Sequence, residues 1–417
     1  MEYIYALSLT LYGLLIRLVS PFNAKAAEWV KGRRNWAPAL RNALLNEQRP
    51  IIWFHCSSLG EFEQGRPVLE QLRKEYSRHC IVLTFFSPSG YLQKQKEPLA
   101  DVVFYLPLDG YQSSEIFLDI LKPELAFFVK YEFWYYYGRQ LHLRKIPFFC
   151  ISAIFRPGQI FFRPWGAFFK KILTRYSHIF VQDQASLELL YRNSIPSVTV
   201  SGDTRFDRVL ENRQRTISLP AVEKFCVGKQ VMVAGSTWPA DEKVLRQLLK
   251  ANDDVVLILA PHETDSRRIV QIEKAFDHTQ RFSTVKADTD AIAQDTRVLI
   301  IDSVGLLSHL YRYGKCCYVG GGFGKGIHNI LEAAVYGKPV FFGPNYSKFK
   351  EARDLKAFGG GIPVKSGSRL TEKFEELIRE DLVYEELCRK NRKYIEDRKG
   401  ATEILMNYLR LNYPPGT

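Results

Sequence analysis

No Cys-x-x-Cys pair occurs among the seven cysteines, and an odd number of thiols does not close into a disulfide framework. That excludes a zinc ribbon and a disulfide-stapled secreted domain, and a reducing compartment fits better. His-Glu-x-x-His, Gly-x-Ser-x-Gly and any Cys/His metal spacing are also missing. The zinc-protease helix and the serine-hydrolase elbow therefore go with them. No repeat or low-complexity tract is visible, and one Asp-x-Asp triple, Asp288-Thr289-Asp290, lies before a strand-like run and reads as a solvated loop, not a metal clamp. Metal and cofactor are both expected to be none. Beyond residue 22 no stretch is long enough to span a bilayer.

What is present is ordinary globular composition with an unusual charge. Of 417 residues, 46% are hydrophobic and 25% charged, which excludes a disordered or collagen-like chain. At roughly 100–200 residues per domain, two or three domains are expected. The net charge of +13 asks for an anionic partner: nucleic acid, an acidic membrane surface or a phosphorylated substrate.

Residues 1–22, MEYIYALSLTLYGLLIRLVSPF, are strongly apolar with no basic residue ahead of the run, so a secretory signal does not fit. Lys25, Lys31, Arg33, Arg34 and Arg41 follow, which keeps the rest of the chain in the cytoplasm by the positive-inside rule. Arg17 interrupts the run, so a shallow anchor fits at least as well as a full span, with Tyr3, Tyr5 and Tyr12 near the interface. A buried first helix is the remaining alternative.

Short apolar runs then alternate with amphipathic segments: 50–56, 80–87, VVFYLP, LAFFVK, FFCISA and HIFVQD read as strands, and 61–76 as a helix with Val68, Leu69 and Leu72 on one face. The alternation pauses over the polar stretch 203–229 and resumes with 230–236, 254–261, 297–302, 316–322 and 339–344. This predicts an α/β protein of two Rossmann-like halves, each a parallel sheet covered by helices, facing across a cleft. The expected division is an anchor at 1–22, a first domain at 23–205, a linker at 206–228 and a second domain at 229–417.

Chemistry is expected at strand ends. In GGGFGKGIHNILEAAVYGKPVFFGP (320–344) three glycines, among them Gly321 and Gly322, close a strand, and a helix is expected to start near His328 and Asn329. Backbone N–H groups there suit a phosphate, Lys325 adds a full charge, and Glu332 suits a ribose. A loop that merely needs tight turns explains the glycines equally well. The spacing is not that of a P-loop. In HCSSLGEFEQGRP (55–67) Glu61 sits in a first helical turn, where the helix dipole lowers a carboxylate's pKa; a base role then rests on positioning. Ser57 and Ser58 lie beside it, and Ser87 and Ser89 in FFSPSG offer hydroxyls to a polar or phosphorylated ligand. Lys130 and Glu132 end a strand among aromatics, which also suits a satisfied core ion pair, and Arg205 in SGDTRFD is expected to point toward the linker and cleft. Arg156, Arg163, Lys170, Lys171 and Arg175 are interleaved with Phe161, Phe162, Trp165, Phe168 and Phe169, which beside an anchor reads as a membrane or lipid-phosphate face rather than a nucleic-acid one.

HCSSLGE, KYEFW, SGDTRFD, GSTW, Ala-Pro-His262, DSVGLL and the 320–344 segment stand in the order and spacing of 3-deoxy-D-manno-octulosonic acid (Kdo) transferases, which this sequence resembles over most of its length. The resemblance implies a GT-B-type fold and an inverting glycosyltransferase that moves Kdo from CMP-Kdo to a tetraacyldisaccharide bisphosphate lipid A precursor. It implies residence on the cytoplasmic face of the inner membrane. It places the base on Glu61, transition-state stabilisers on Glu132 and Arg205, and CMP contacts on Pro261, His262, Val304, Gly305, Leu306, Asn329, Ile330, Leu331 and Glu332. Four positions depart from the family pattern. Lys130 replaces an acidic residue; Pro261-His262-Glu263 shortens a Pro-Arg-His stretch; Leu306 replaces a frequent acid; Arg205 stands for a common lysine. The competing expectations are a GT-B transferase using a UDP-sugar and a lipid-linked acceptor, and a non-catalytic lipid-phosphate binding protein.

Overall fold

Continuous apolar runs, not alternating ones, mark strands that are covered on both faces. Seven of them form the first sheet: β1 Ile51–Cys56, β2 Cys80–Phe85, β3 Val102–Tyr105, β4 Leu125–Val129, β5 Phe148–Ala153, β6 His178–Val181 and β7 Val198–Val200. The structure is a computed structural model and describes residues 1–215, 217–285 and 292–415, so the Asp288–Asp290 triple lies outside the described residues. All pairings in the first sheet are parallel, in the order β3-β2-β1-β4-β5-β6-β7. Successive residues of β1 divide between two cores: Ile51 and Trp53 enter one, Ile52, Phe54 and Cys56 the other.

A second parallel sheet has the order β10-β11-β9-β8-β12-β13-β14. Its strands are β8 Gln230–Thr237, β9 Val255–Pro261, β10 Thr279–Arg281, β11 Val298–Ile300, β12 Cys316–Val319, β13 Val340–Phe342 and β14 Gly361–Pro363. In each sheet the strand order reverses beside the first strand, between β1 and β4 and between β8 and β12. Such reversal points leave space for ligands at the carboxyl ends of the strands. Two Rossmann-like units of this kind make the chain an α/β protein of GT-B type. The strands β7, β10 and β14 escape sequence reading because none lies in a long apolar run, whereas the equally short β11 and β13 do.

The chain divides into two compact units, residues 1–208 with 399–417, and residues 209–398. This corrects the expected boundaries. The segment 206–228, expected as a linker, lies largely within the helices Thr204–Gln214 and Pro220–Cys226. The last helix, Ala401–Asn412, leaves the second unit and packs Leu405, Met406 and Leu409 into the core of the first, beside Ile52 and Phe54. The Asp207 carboxylate accepts from the Gly400 and Thr402 N–H groups at 2.6 and 2.7 Å and caps that helix.

The first helix, Glu2–Val19, is the one helix among the described residues long and apolar enough, by length and composition, to cross a membrane. It lies against the first unit. The Glu2 carboxylate accepts from Arg139 at 2.7 Å, the Tyr5 hydroxyl donates to Asp109 at 2.6 Å, and Gly13 is buried against Leu108. Tyr12 meets the rings of Trp29 and Phe86. Tyr5 and Tyr12 therefore serve docking, not an interface belt, and only Tyr3, 90% exposed, is free for one. The opposite face carries Ile4, Leu7, Leu11, Leu14, Leu15 and Leu18, all exposed. The helix is thus held at Glu2, Tyr5 and Gly13 along one side by the rest of the first unit. In the basic-aromatic segment, Phe161, Phe162, Phe168 and Phe169 pack on the core and Arg175 donates to the Tyr135 carbonyl at 3.1 Å; Trp165, 68% exposed, remains outside.

Candidate active site

Three of the first unit's candidates converge. After β1 the chain turns into the helix Leu59–Glu75, which presses so closely on the sheet that a Cβ on Gly65 would sit 2.7 Å from Val129. Ser58 caps this helix. Its N–H and hydroxyl both donate to Glu61 Oε2, at 2.8 and 3.0 Å. Glu132 follows β4, the neighbour of β1, and is buried. Its Oε2 accepts from Trp134 Nε1 at 2.7 Å and stands 3.2 Å from His55 Nε2. The expected Lys130–Glu132 core pair is thus not what holds Glu132; a tryptophan and a histidine are. Lys130 itself adopts φ +69°, a strained value at the strand's end.

The Glu61 carboxyl is raised above the ordinary range, first by burial and then by the Glu132 charge, with the Ser58 bonds opposing. The expectation that the helix end would lower it is corrected here: loss of water and a neighbouring anion outweigh the dipole. A base that holds its proton more tightly is closer to what acid–base transfer needs.

Arg205 follows β7 at the edge of the sheet, yet it is drawn to the same edge by a relay. Its guanidinium donates to Asp203, 2.7 Å from NH2 to Oδ2 and 3.0 Å from Nε. Gln64, three residues after Glu61, donates to the same Asp203 at 3.0 Å. Burial alone would raise the Asp203 carboxyl, but Arg205 holds it below the usual range. Arg205 is therefore paired with Asp203, two residues before it. Ser57 and Ser87 are neighbours at the ends of β1 and β2, where the Ser57 carbonyl accepts from Ser87 N–H at 2.7 Å, and the Ser87 and Ser89 hydroxyls bond at 2.8 Å. The Ser58 hydroxyl is engaged by Glu61, so it is the least available of the four.

In the second unit, Pro261 and His262 end β9, Val304–Leu306 follow β11, and the glycine loop follows β12, so all of them gather at the carboxyl edge of one sheet. The glycines have structural reasons of their own. A Cβ on Gly320 would lie 2.3 Å from the Ser236 carbonyl, and one on Gly322 2.6 Å from Gly343 N. Gly321, at φ +89°, gives its N–H to Asp241 at 2.9 Å, and the N–H groups of Gly324, Gly326 and His328 bond back into the loop. This corrects the open phosphate cradle expected at Gly321 and Gly322: much of the loop is closed upon itself. The expected helix start near His328 and Asn329 is also corrected. The helix is one turn, Leu331–Ala334, ended by Gly337 at φ +68° and Pro339. Ile330 and Leu331 are core side chains at 0% exposure, leaving Asn329, which donates to Glu332 at 2.9 Å, as the polar part of that turn. Lys325 is exposed, as are Val304, 86%, and Gly305 at φ +98°.

Sequence reading missed a stack that the fold builds from distant loops. Trp238 and His262 lie ring on ring at 4.7 Å, and His262 and His328 at 4.4 Å. Trp238 Nε1 donates to His328 Nε2 at 3.0 Å. Burial, then the neighbouring His262, lowers His328 to about 4, so it is neutral near pH 7 and carries its proton on Nδ1. The only local signal was the tryptophan closing GSTW; nothing local links it to a histidine 90 residues on. Among the described residues no group of three His, Cys, Asp or Glu side chains could hold a metal ion.

A family model described as 3-deoxy-D-manno-octulosonic-acid transferase (kdotransferase) matches residues 30–208, the stretch that holds Glu61, Glu132 and Arg205. A curated 3-deoxy-D-manno-octulosonic acid transferase of Aquifex aeolicus is 28% identical over 359 residues, 83% of this chain and 91% of its own length. That of Haemophilus influenzae is 26% identical over 381 residues, 86% of each. The chain is similar to Kdo transferases over most of its length. It is accordingly a glycosyltransferase. Among solved structures, this transferase is similar to the UDP-GlcNAc 2-epimerases of Neisseria meningitidis (TM-score 0.59, 18% identity, 87% of this chain and 100% of that one) and Methanocaldococcus jannaschii (TM-score 0.55, 14% identity, 87% and 99%). At such identities the likeness concerns the fold alone.

Proposed function

We propose that the protein transfers Kdo from CMP-Kdo to a phosphorylated, acylated disaccharide precursor of lipid A, at the cytoplasmic face of the inner membrane and with inversion at the anomeric carbon. The observation that carries this reading is the coupled carboxylate pair Glu61 and Glu132, at the ends of adjacent strands where the sheet order reverses, in a chain similar to Kdo transferases over most of its length. Glu61 takes the proton of the acceptor hydroxyl as its oxygen bonds to the anomeric carbon, and the bond from that carbon to the CMP phosphate oxygen breaks. CMP leaves with the electron pair. Glu132, held by His55 and Trp134, faces the positive charge that gathers on the sugar, and Arg205 supplies charge for the developing anions. Pro261, His262, the Val304–Leu306 loop, Lys325 and Asn329–Glu332 hold CMP, with Ile330 and Leu331 contributing backbone only. Ser57, Ser87 and Ser89 offer hydroxyls to the acceptor. The outward apolar face of Glu2–Val19 rests on the membrane where that acceptor resides.

The test is incubation with CMP-Kdo made in situ and the tetraacylated bisphosphate acceptor, read by mass spectrometry of the lipid. Glu61→Gln is expected to lower turnover by about 10²-fold or more while CMP still raises the melting temperature. Stabilisation by UDP and not by CMP would overturn the donor, and undiminished function in Glu61→Gln would point to a non-catalytic binder.

A further inference from the structure

The face of β1 that carries Trp53 and His55 is sealed. Both side chains are fully buried, and so is Thr84, which the parallel register sets opposite His55 on β2. Polar groups shut away like this must find partners among themselves. The Trp53 indole Nε1 donates to the Thr84 hydroxyl at 2.8 Å, and that hydroxyl lies 2.8 Å from His55 Nδ1. At the other side of the ring, His55 Nε2 stands 3.2 Å from Glu132 Oε2. Three side chains thus connect an indole in the core to a carboxylate at the strand ends.

Each link has a direction. An indole N–H can only donate, so the Thr84 oxygen is an acceptor toward Trp53. The hydroxyl hydrogen then needs an acceptor of its own, and among the described residues His55 Nδ1 is the other atom that the hydroxyl meets. With Nδ1 accepting, the neutral ring carries its proton on Nε2 and donates it to Glu132. The alternative puts a proton on Nδ1, aimed at the Thr84 carbonyl 3.1 Å away. That arrangement buries the Thr84 hydroxyl hydrogen without an acceptor. Unless the ring takes a second proton, it also sets a bare Nε2 lone pair against a carboxylate. An unmet buried donor makes it the costlier of the two. In the favoured arrangement Glu132 Oε2 receives two N–H donors, from His55 and from Trp134 at 2.7 Å, and Oε1 makes no hydrogen bond among the described residues.

We propose that Thr84 is a positioning residue for the transfer reaction: with Trp53 behind it, its hydroxyl fixes the His55 tautomer that holds Glu132 as an anion. The bearing on catalysis rests on the role given to Glu132 in the proposed function; the direction of the hydrogen bonds does not.

The test is nitrogen NMR of the full chain in detergent, isotope-labelled at histidine, with the His55 signals assigned by their absence in His55→Gln. In the wild type Nδ1 is expected in the range of an unprotonated ring nitrogen and Nε2 in that of a protonated one. Thr84→Val keeps the shape and removes the hydroxyl. Nδ1 is then expected to gain a proton and move to the protonated range, because the carbonyl of residue 84 is the partner left to it. The His55–Glu132 pair thereby loses its net negative charge, whichever of the two holds the extra proton. Thr84→Ser is expected to restore the wild-type spectrum. Kdo transfer from CMP-Kdo, followed on the same proteins, is expected to lose about tenfold or more in kcat in Thr84→Val with KM unchanged, and to recover in Thr84→Ser. A protonated Nδ1 in the wild type overturns the proposal without any substitution, and so does an Nδ1 that Thr84→Val leaves unmoved. The expected spectra with undiminished kcat in Thr84→Val overturn the positioning role. A wild type that transfers no Kdo fails the proposed function instead, and the spectra still decide the tautomer.

Discussion

A second carboxylate at the end of the neighbouring strand makes Glu61 harder to ionise. Burial raises Glu61 and the charge of Glu132 raises it further, so the acid side of the rate profile should fall at a higher pH than an ordinary glutamate near 4.5 would give. Glu132→Gln removes one of the two causes. It is expected to lower overall turnover and to move the acid limb of kcat/KM to lower pH, as a pH–rate profile would show. An unmoved limb would mean the two groups are not coupled. Glu61 was legible as a candidate from its place just after a strand, but its electrostatics were not, because the second carboxylate arrives from 71 residues further along. The Trp238–His262–His328 stack was illegible for the same reason: each residue stands in its own loop, and only the parallel order of β8, β9 and β12 brings them together.

Helices are read from periodicity, and periodicity tells which side is apolar without telling what covers it. The first helix has enough apolar positions to read as spanning; the structure shows one side held by the protein. Asp109 is the centre of that hold. It accepts from Tyr5 and from the N–H groups of Tyr136 and Tyr137, yet burial still raises it from 3.8 to about 6. A folded-state value above the unfolded one favours the folded protein at low pH, and the benefit is lost as pH rises from about 4 to about 6. Relative to Asp109→Asn, the wild type should therefore gain stability on acidification through that window, on the order of 3 kcal/mol at most, by urea titration at pH 7 and pH 4. A constant difference would exclude the perturbed group. At Leu331–Ala334 the expected helix start near His328 and Asn329 gave way to a single turn that Gly337 and Pro339 follow.

For the whole molecule, strand–helix alternation was enough to announce two parallel sheets, because strands buried on both faces are short apolar runs whatever their order. The order itself, and the return of the last helix, depend on long-range packing that no local pattern records. Leu405→Ala and Leu409→Ala should each destabilise the first unit by about 2–5 kcal/mol. Five of the six tryptophans, all but Trp238, lie in that unit, so indole fluorescence on urea titration reads its loss selectively. Because Ala401–Asn412 seals the sheet that begins at Ile51, the half of the protein translated first is the half finished last. Until that helix has been made, the hydrophobic floor that Leu405, Met406 and Leu409 will cover stands open on the ribosome. A chain that stops before residue 401 would be released with an unroofed core.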